Sequence, residues 1–187
     1  MKQIGQLLRI LDSFKQGTCP LCISACVAVL LAMAVASTAS AEITPEQAAL
    51  GGIQLGDSAA HVRSIYGRGS YLRGSVVYGS NPAYYSYRYN GLSIEFWAET
   101  GDVVTIDTWE NNGFATPAGV IVGMDSSILN QLYGEADYVS YQPFYPHASD
   151  VEKTYVYDIT GSDRYKTLMF FVDSNERIKE IRLHWAD

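Results

Sequence analysis

The stretch that decides the fold runs Gly52-Ile53-Gln54-Leu55-Gly56-Asp57-Ser58, and it returns as Gly119-Val120-Ile121-Val122-Gly123-Met124-Asp125. The first copy continues to Tyr66-Gly67 and the second to Tyr133-Gly134. Such self-similarity indicates that one structural unit occurs twice in a chain. We therefore predict two tandem copies of a small α+β unit.

Each copy predicts a short helix that ends at its Tyr-Gly pair. Asp57 or Ser58 is the expected N-cap of the first helix, because a side-chain oxygen there accepts from a backbone N–H that has no partner within the helix. Asp125 is the expected N-cap of the second helix. Glycine fits the left-handed backbone that terminates helices. The apolar stripes expected to face a sheet are Val62, Ile65 and Tyr66 in the first helix and Ile128, Leu129, Leu132 and Tyr133 in the second.

Antiparallel strands are predicted after each helix. Leu92, Ile94 and Phe96 alternate with polar residues, as in a strand that is buried on one face. Residues 168–172 alternate in a similar way in the second copy, and short turns between such runs favour hairpins. The predicted fold class is α+β, with two tandem helix-plus-antiparallel-sheet repeats (helix, then three or four strands, twice) and the helices on one face of the sheets. The two sheets are expected to lie side by side or to form one continuous sheet.

The first 41 residues have the pattern of a signal peptide. A basic start is followed by an apolar run from about Ile23 to Val35 and by the small residues Ala39-Ser40-Ala41. The apolar run is shorter than the roughly 20 residues that a membrane-spanning helix needs. We expect cleavage after Ala41, no stable membrane span after cleavage, and a secreted, periplasmic or envelope-associated protein. A retained anchor and a lipid-modified Cys26 are the alternatives.

The composition narrows the classes of partner. All three cysteines lie within the first 41 residues, so the exported chain would hold no disulfide. The whole chain has 13 basic and 20 acidic residues, and cleavage after Ala41 would remove three of the bases and one of the acids. The exported chain would then have 10 bases, 19 acids and a net charge of −9. An acidic chain of this kind is not suited to binding nucleic acid or an anionic membrane surface.

The repeated pattern resembles a known family. Both copies read Gly-φ-x-φ-Gly, then a cap, an apolar pair and Tyr-Gly (φ apolar, x any residue), and a Tyr-x-Tyr strand follows at 87–89 and 155–157. This resembles the BamE-like (SmpA/OmlA) unit, and the tandem is similar to the β-lactamase inhibitor protein fold. The resemblance implies a non-enzymatic binding module that presents a concave sheet to a protein. The predicted domains are a signal peptide at 1–41, BamE-like repeat 1 at 42–110, a linker at 111–118 and BamE-like repeat 2 at 119–187.

Aromatic residues mark the most suggestive surface. The stretch from Gly69 to Tyr89 combines Tyr, Ser, Gly, Asn and Arg, as antibody binding loops do. A Pro-containing segment near Tyr141 holds a second aromatic group at the corresponding place. Tyr and Arg are enriched in binding hot spots, although Tyr is also an ordinary strand residue. The predicted partner-binding residues are Tyr71, Tyr78, Tyr84, Tyr85, Arg88, Tyr141, Phe144 and Tyr145.

The sequence contains no motif that predicts catalysis. It has no G-x-S-x-G, no P-loop and no cysteine beyond residue 41. Of the three histidines, His61 alone has a carboxylate at helical spacing, and that residue, Asp57, is an expected helix cap. We therefore predict a protein that is not an enzyme, with no catalytic residue, no cofactor and no metal ligand.

Three functional hypotheses remain. The first is an exported protein-interaction module that binds its partner through an aromatic-rich sheet face and loops, as in envelope assembly or enzyme inhibition. The alternative is a glycan- or small-ligand-binding protein of the cell envelope, in which aromatic rings stack on sugars. The third is a hydrolase, because carboxylates distant in sequence can meet in space. An open aromatic surface would favour the first, an enclosed aromatic cavity the second, and a buried acid pair in a cleft the third.

Overall fold

The computed structural model describes residues 43–73, 83–142, 144–161 and 166–185, so the predicted signal peptide at 1–41 lies outside the described residues. The elements in chain order are β1 (Ala49–Leu50), β2 (Ile53–Gln54), α1 (Ala59–Tyr66), β3 (Ser70–Arg73), β4 (Tyr84–Tyr89), β5 (Leu92–Trp97), β6 (Val103–Thr108), α2 (Ser127–Tyr133), β7 (Tyr138–Ser140), β8 (Val151–Asp158), β9 (Lys166–Asp173) and β10 (Ile178–Trp185). Within those ranges the protein is mostly sheet, with two short helices.

Eight strands form one antiparallel sheet in the order β3-β4-β5-β6-β10-β9-β8-β7. At its centre β6 pairs with β10, and Ile106 lies opposite Leu183. The predicted α+β fold of two tandem helix-plus-sheet repeats is wrong, because the described residues are mostly sheet with only two short helices. Of the two arrangements expected for the sheets, the structure has one continuous sheet. Separate four-stranded sheets would each leave an additional edge of unpaired backbone groups, and the pairing of β6 with β10 satisfies those groups.

The face of the sheet that carries both helices holds the core. Ile94, Ile106, Leu183 and Leu168 lie side by side across four strands on this face, and all four are fully buried. Burial of each such side chain contributes about 1.5–3 kcal/mol. The buried helical residues in the same core are Val62, Leu129 and Tyr133.

The ends of the helices follow local sequence signals. The Ser58 hydroxyl accepts from the His61 N–H at 3.2 Å at the start of α1. Gly67 ends this helix with φ of 72°, a backbone conformation that residues with a Cβ rarely adopt. At the start of α2 the N-cap position is Ser126, which makes no side-chain cap hydrogen bond. The carboxylate of the predicted cap, Asp125, accepts from the Ser127 N–H at 3.1 Å.

The predicted apolar stripes are only partly buried. Val62, Leu129 and Tyr133 lie in the core, whereas the side chains of Ile65 and Leu132 are exposed. The reason is the length of the helices, which have eight and seven residues. Two turns of helix present only a narrow line of side chains to a sheet.

The second face of the sheet has a charged centre. Ser93, Asp107, Arg182 and Met169 form a cross-strand row there, because each pairs with the next in the register of β5, β6, β10 and β9. Residues 141–150 connect β7 to β8 and are called the β7–β8 loop; Pro143 within it lies outside the described residues. This loop is hydrogen-bonded to the charged centre of the second face.

Candidate functional site

A group of charged side chains lies between the second face of the sheet and the β7–β8 loop. Asp107 and Arg182 are directly opposite in the β6–β10 register, and the Arg182 Nε–H donates to the Asp107 carboxylate. Arg182 also donates to Glu180 Oε1 at 2.9 Å. The Glu180 side chain is fully buried, and those of Asp107 and Arg182 are 9% and 13% exposed. Buried charges are tolerated when they are paired and hydrogen-bonded; these three residues and His147 are called the ionic cluster.

Glu180 holds one side of the β7–β8 loop. Its Oε2 accepts from the His147 N–H at 2.5 Å and from the Ala148 N–H at 2.9 Å. Burial raises the pKa of Glu180, although the Ala148 N–H acts against this by stabilising the carboxylate. Hydrogen bonds to a charged acceptor are about twice as strong as neutral ones, so the two loop amides are held tightly.

Arg182 holds the other side of the loop. It donates to the carbonyl oxygen of Phe144 at 2.7 Å and to that of Tyr145 at 3.1 Å. Its guanidinium carbon also lies 4.9 Å from the centre of the Phe171 ring. A planar guanidinium has five donors in a fixed arrangement. Two side chains of β10 therefore determine where the backbone of residues 144–148 lies.

His147 connects the loop to an aromatic group at the end of β6. Its Nε2 lies 3.7 Å from Asp107 Oδ2, and its ring centre lies 4.6 Å from that of Trp109. The neighbouring Asp107 carboxylate raises the pKa of His147 by stabilising its protonated form. The carboxylates of Asp107 and Glu180 face a single guanidinium, that of Arg182, so protonation of His147 makes the ionic cluster electrically neutral.

The loop that the ionic cluster holds presents aromatic side chains to solvent. Tyr145 is 95% exposed and Tyr141 is 73% exposed, while Phe144 is 38% exposed. Tyr145 has a φ of 46°, which lies in the left-handed region that residues other than glycine seldom occupy. Such conformations persist where the surrounding contacts impose them, and here the contact with Arg182 is to the Tyr145 carbonyl.

Two further predicted partner-binding residues lie on the second face. Tyr84 packs against Trp97, with ring centres 4.7 Å apart. The Arg88 guanidinium lies 5.8 Å from the centre of the Trp109 ring, whose other neighbour is His147. The structure thus brings Arg88 to the β7–β8 loop through Trp109.

The remaining predicted residues do not join this surface. Tyr71 and Tyr85 point to the helix-bearing face, where their ring centres are 5.9 Å apart and Tyr85 stacks on Phe96 at 5.1 Å. Tyr78 lies outside the described residues. One flat contact cannot include both faces of a sheet, so Tyr71 and Tyr85 belong to a different surface from the loop.

The residues that organise the site do not stand out in the sequence. Asp107, Glu180 and Arg182 were visible as polar positions that interrupt apolar strands. Alternation indicates that such residues share a face, but it does not say which strands become neighbours. Their pairing depends on the β6–β10 register.

The ionic cluster contains a buried acid pair, the feature that would favour a hydrolase. Both acids are engaged by other groups: Asp107 by Arg182 and His147, and Glu180 by Arg182 and two loop amides. This arrangement is typical of a structural anchor. Across the described ranges no three His, Asp or Glu side chains converge in a way that could hold a metal ion. In the same ranges no helix has the length and apolar character needed to cross a membrane.

Comparison with known proteins adds one structural similarity. No family model matches the chain, and no curated protein matches it. Among solved structures, the chain is similar to the crystal structure of a DUF4309 family protein (YjgB) from Bacillus subtilis. The two are 16% identical, with a TM-score of 0.38, over 70% of this chain and 79% of that one. The resemblance to the BamE-like unit therefore stays a prediction.

Proposed function

We propose that this chain is an exported, non-enzymatic module that binds a protein partner through the β7–β8 loop and the neighbouring part of the second face. The observation that carries the proposal is Tyr145, whose side chain is 95% exposed on a loop that Glu180 and Arg182 hold in place. Tyr141 and Phe144 extend this surface, and Arg88 adjoins it through Trp109 and His147.

The physical support is preorganisation. Binding through a mobile loop costs free energy because the loop must become ordered, and a loop already fixed in the free protein avoids most of that cost. Tyrosine adds a large contact area with few rotatable bonds. A tyrosine held outward in this way can fill a pocket on a partner without first losing much entropy.

The partner expected for such a surface is a folded protein with a pocket for the Tyr145 ring and a rim that contacts Tyr141. Hot-spot residues are usually central, aromatic and surrounded by weaker contacts that exclude water. The two roles suggested by the resemblance to BamE-like units and to β-lactamase inhibitor proteins, envelope assembly and enzyme inhibition, both require a partner of this kind.

The experiment immobilises the full-length chain and exposes it to the envelope extract and culture medium of the source organism. Wild type is compared with Tyr145→Ala and with Tyr71→Ala, a matched loss of an exposed tyrosine on the other face. Thermal unfolding by circular dichroism checks that the three proteins are equally folded. The retained protein is then purified and its affinity for each variant is measured.

We expect Tyr145→Ala to weaken binding by about 30-fold or more, as for other hot-spot residues, and Tyr71→Ala to leave it unchanged. The proposal fails if no protein is retained by wild type. It also fails if Tyr145→Ala binds as wild type does, or if Tyr71→Ala loses binding to the same extent.

A further inference from the structure

A cavity opens on the second face of the sheet, apart from the β7–β8 loop. Its volume is about 290 Å³, and its lining residues are Tyr84, Glu95, Val104, Thr105, His184 and Trp185. Ligand pockets in proteins range from about 300 to 1,000 Å³. The volume of this cavity is just below that range, so it has room for one small ring and not for a peptide or a large cofactor.

A row of polar groups crosses the cavity. Glu95 of β5 is opposite Thr105 of β6, and Thr105 is opposite His184 of β10. The Thr105 hydroxyl lies 3.0 Å from His184 Nδ1, and its interaction with the neighbouring Glu95 carboxylate acts to lower the pKa of Glu95. A carboxylate, a hydroxyl and an imidazole therefore stand in a line that the register of three strands fixes. Together they can accept and donate hydrogen bonds.

Aromatic rings and an apolar side chain complete the lining. Tyr84 is braced by Trp97, with ring centres 4.7 Å apart. Trp185 is braced by Lys166, whose Nζ lies 4.6 Å from the ring centre. Val104 is buried beside them. A site with apolar and aromatic walls and a few fixed polar groups is the usual construction of a small-molecule pocket.

The charges around the cavity are of opposite sign. The Glu95 carboxylate lies in the lining and the Lys166 ammonium lies against the Trp185 ring, so the site has no net charge that favours an anion or a cation. Burial, with a further contribution from Asp107, raises the pKa of Glu95, so a ligand hydroxyl that donates to this carboxylate would stabilise it. The chemistry that remains is a neutral ring with several hydroxyl groups and a hydrocarbon face.

We propose that this cavity binds one neutral sugar ring, with its hydroxyl groups on the row formed by Glu95, Thr105 and His184 and its hydrocarbon face against Tyr84 or Trp185. The site is separate from the protein-binding surface proposed above and does not depend on it. A free hexose and the terminal unit of a glycan share this chemistry.

The test is ligand-observed saturation-transfer NMR on the full-length chain, with glucose, galactose and N-acetylglucosamine as neutral probes. Glucosamine and glucuronate are the cationic and anionic probes of similar size. Cellobiose and maltose, measured beside glucose, distinguish a glycan end from a free sugar. The variants are Glu95→Gln and Tyr84→Ala in the cavity. The controls are Glu99→Gln, the same change at an exposed glutamate of the β5–β6 turn, and Tyr145→Ala in the β7–β8 loop.

We expect at least one neutral sugar to bind saturably in the millimolar range, as suits so small a ligand, and both charged sugars to bind about tenfold more weakly or not at all. Both cavity variants should lose the signal, and both controls should keep it. Tighter binding of a disaccharide than of glucose identifies the source as a glycan end, and weaker binding identifies a free sugar.

Three results would overturn the proposal. One is the absence of saturable binding by every neutral sugar at about 50 mM, well above the expected constants. Another is binding of a charged sugar as tight as that of the neutral ones. The last is wild-type binding by folded Glu95→Gln and Tyr84→Ala. Loss of protein binding in Tyr145→Ala has no bearing on any of these outcomes.

Discussion

Replacement of Arg182 by methionine tests whether the ionic cluster anchors the β7–β8 loop. Methionine keeps much of the side-chain volume that packs near Phe171 but removes every hydrogen bond of the guanidinium. Those bonds join Arg182 to the Asp107 and Glu180 carboxylates and to two loop carbonyls. The loop carbonyls are exposed and can form hydrogen bonds with water in place of Arg182. The two carboxylates lie beneath the loop and have little access to solvent.

The expected loss of stability follows from the Asp107 and Glu180 carboxylates, which would remain buried without Arg182. Loss of one partner from a buried ion pair costs about 3–5 kcal/mol, because the other partner stays buried without compensation. For a chain of this length each kcal/mol corresponds to about 2–4 °C in Tm. We therefore expect Arg182→Met to lower Tm by roughly 6–20 °C at pH 7.

The loss of stability in Arg182→Met should become smaller as the pH falls. Burial already raises the pKa of Glu180, and Arg182 acts in the opposite direction, so its removal raises that pKa further. A higher pKa in the folded variant means that protonation relieves the penalty, and the variant recovers stability relative to wild type as the pH falls below 7.

The assay is unfolding by heat, which gives Tm, and by urea, which gives the free energy of unfolding, both followed by circular dichroism at pH 7 and pH 5. Arg68→Met, which removes an exposed arginine after α1, is the matched control and should stay within about 0.5 kcal/mol of wild type. The reasoning is refuted if Arg182→Met is as stable as that control. It is also refuted if the loss of stability is as large at pH 5 as at pH 7.

Three further predictions concern the pH response, a helix end and the central sheet. The Asp107 carboxylate, 3.7 Å from His147 Nε2, raises the pKa of His147 above 6.5. The contribution of protonated His147 to stability is therefore complete below pH 6.5 and is lost as the pH rises through the folded-state pKa. Hydrogen-exchange protection of the His147 and Ala148 amides should fall as the pH rises above 6.5, and constant protection would contradict this. Gly67 has φ of 72° and ψ of −154°, and no atom lies within 4 Å of a Cβ built there. Gly67→Ala should therefore lower the free energy of unfolding by about 1–3 kcal/mol through backbone strain alone. An unchanged free energy of unfolding in urea would count against that conformation. Leu183 is fully buried in the central strand pair, so Leu183→Ala should lower the free energy of unfolding by about 2–5 kcal/mol. Ile65→Ala, on the exposed side of α1, should lower it by less than about 1 kcal/mol. Equal losses of stability would show that the core has been located wrongly.

Local features of the fold could be predicted because their causes lie within a few residues. Gly67 and Gly134 end their helices in conformations that glycine adopts most readily. Leu92, Ile94 and Phe96 are buried as their alternation predicts. The predicted cap, Asp125, lies one residue before the observed N-cap position at Ser126, yet its carboxylate makes the capping hydrogen bond to the Ser127 N–H. Such ends are decided by competition between adjacent polar residues.

The candidate site could be predicted only in part. Tyr141, Phe144 and Tyr145 stand out in the sequence because aromatic residues in a Pro-containing loop are typical of binding surfaces. The ionic cluster that holds them does not stand out. Asp107 and Arg182 are 75 residues apart in the chain, and nothing local to either residue specifies the other as its partner.

The sequence by itself determined that each helix ends at its Tyr-Gly pair and which side chains can share a face, because helix ends and the periods of helix and strand are properties of the local backbone. The tertiary structure alone decided that β6 pairs with β10, which selects one continuous sheet over two sheets lying side by side. That pairing placed Asp107 against Arg182, which in turn holds the loop that bears Tyr145. Strand partners and buried ion pairs form between residues far apart in the chain, and they are selected by the free energy of the whole packed molecule, which no short window of sequence contains.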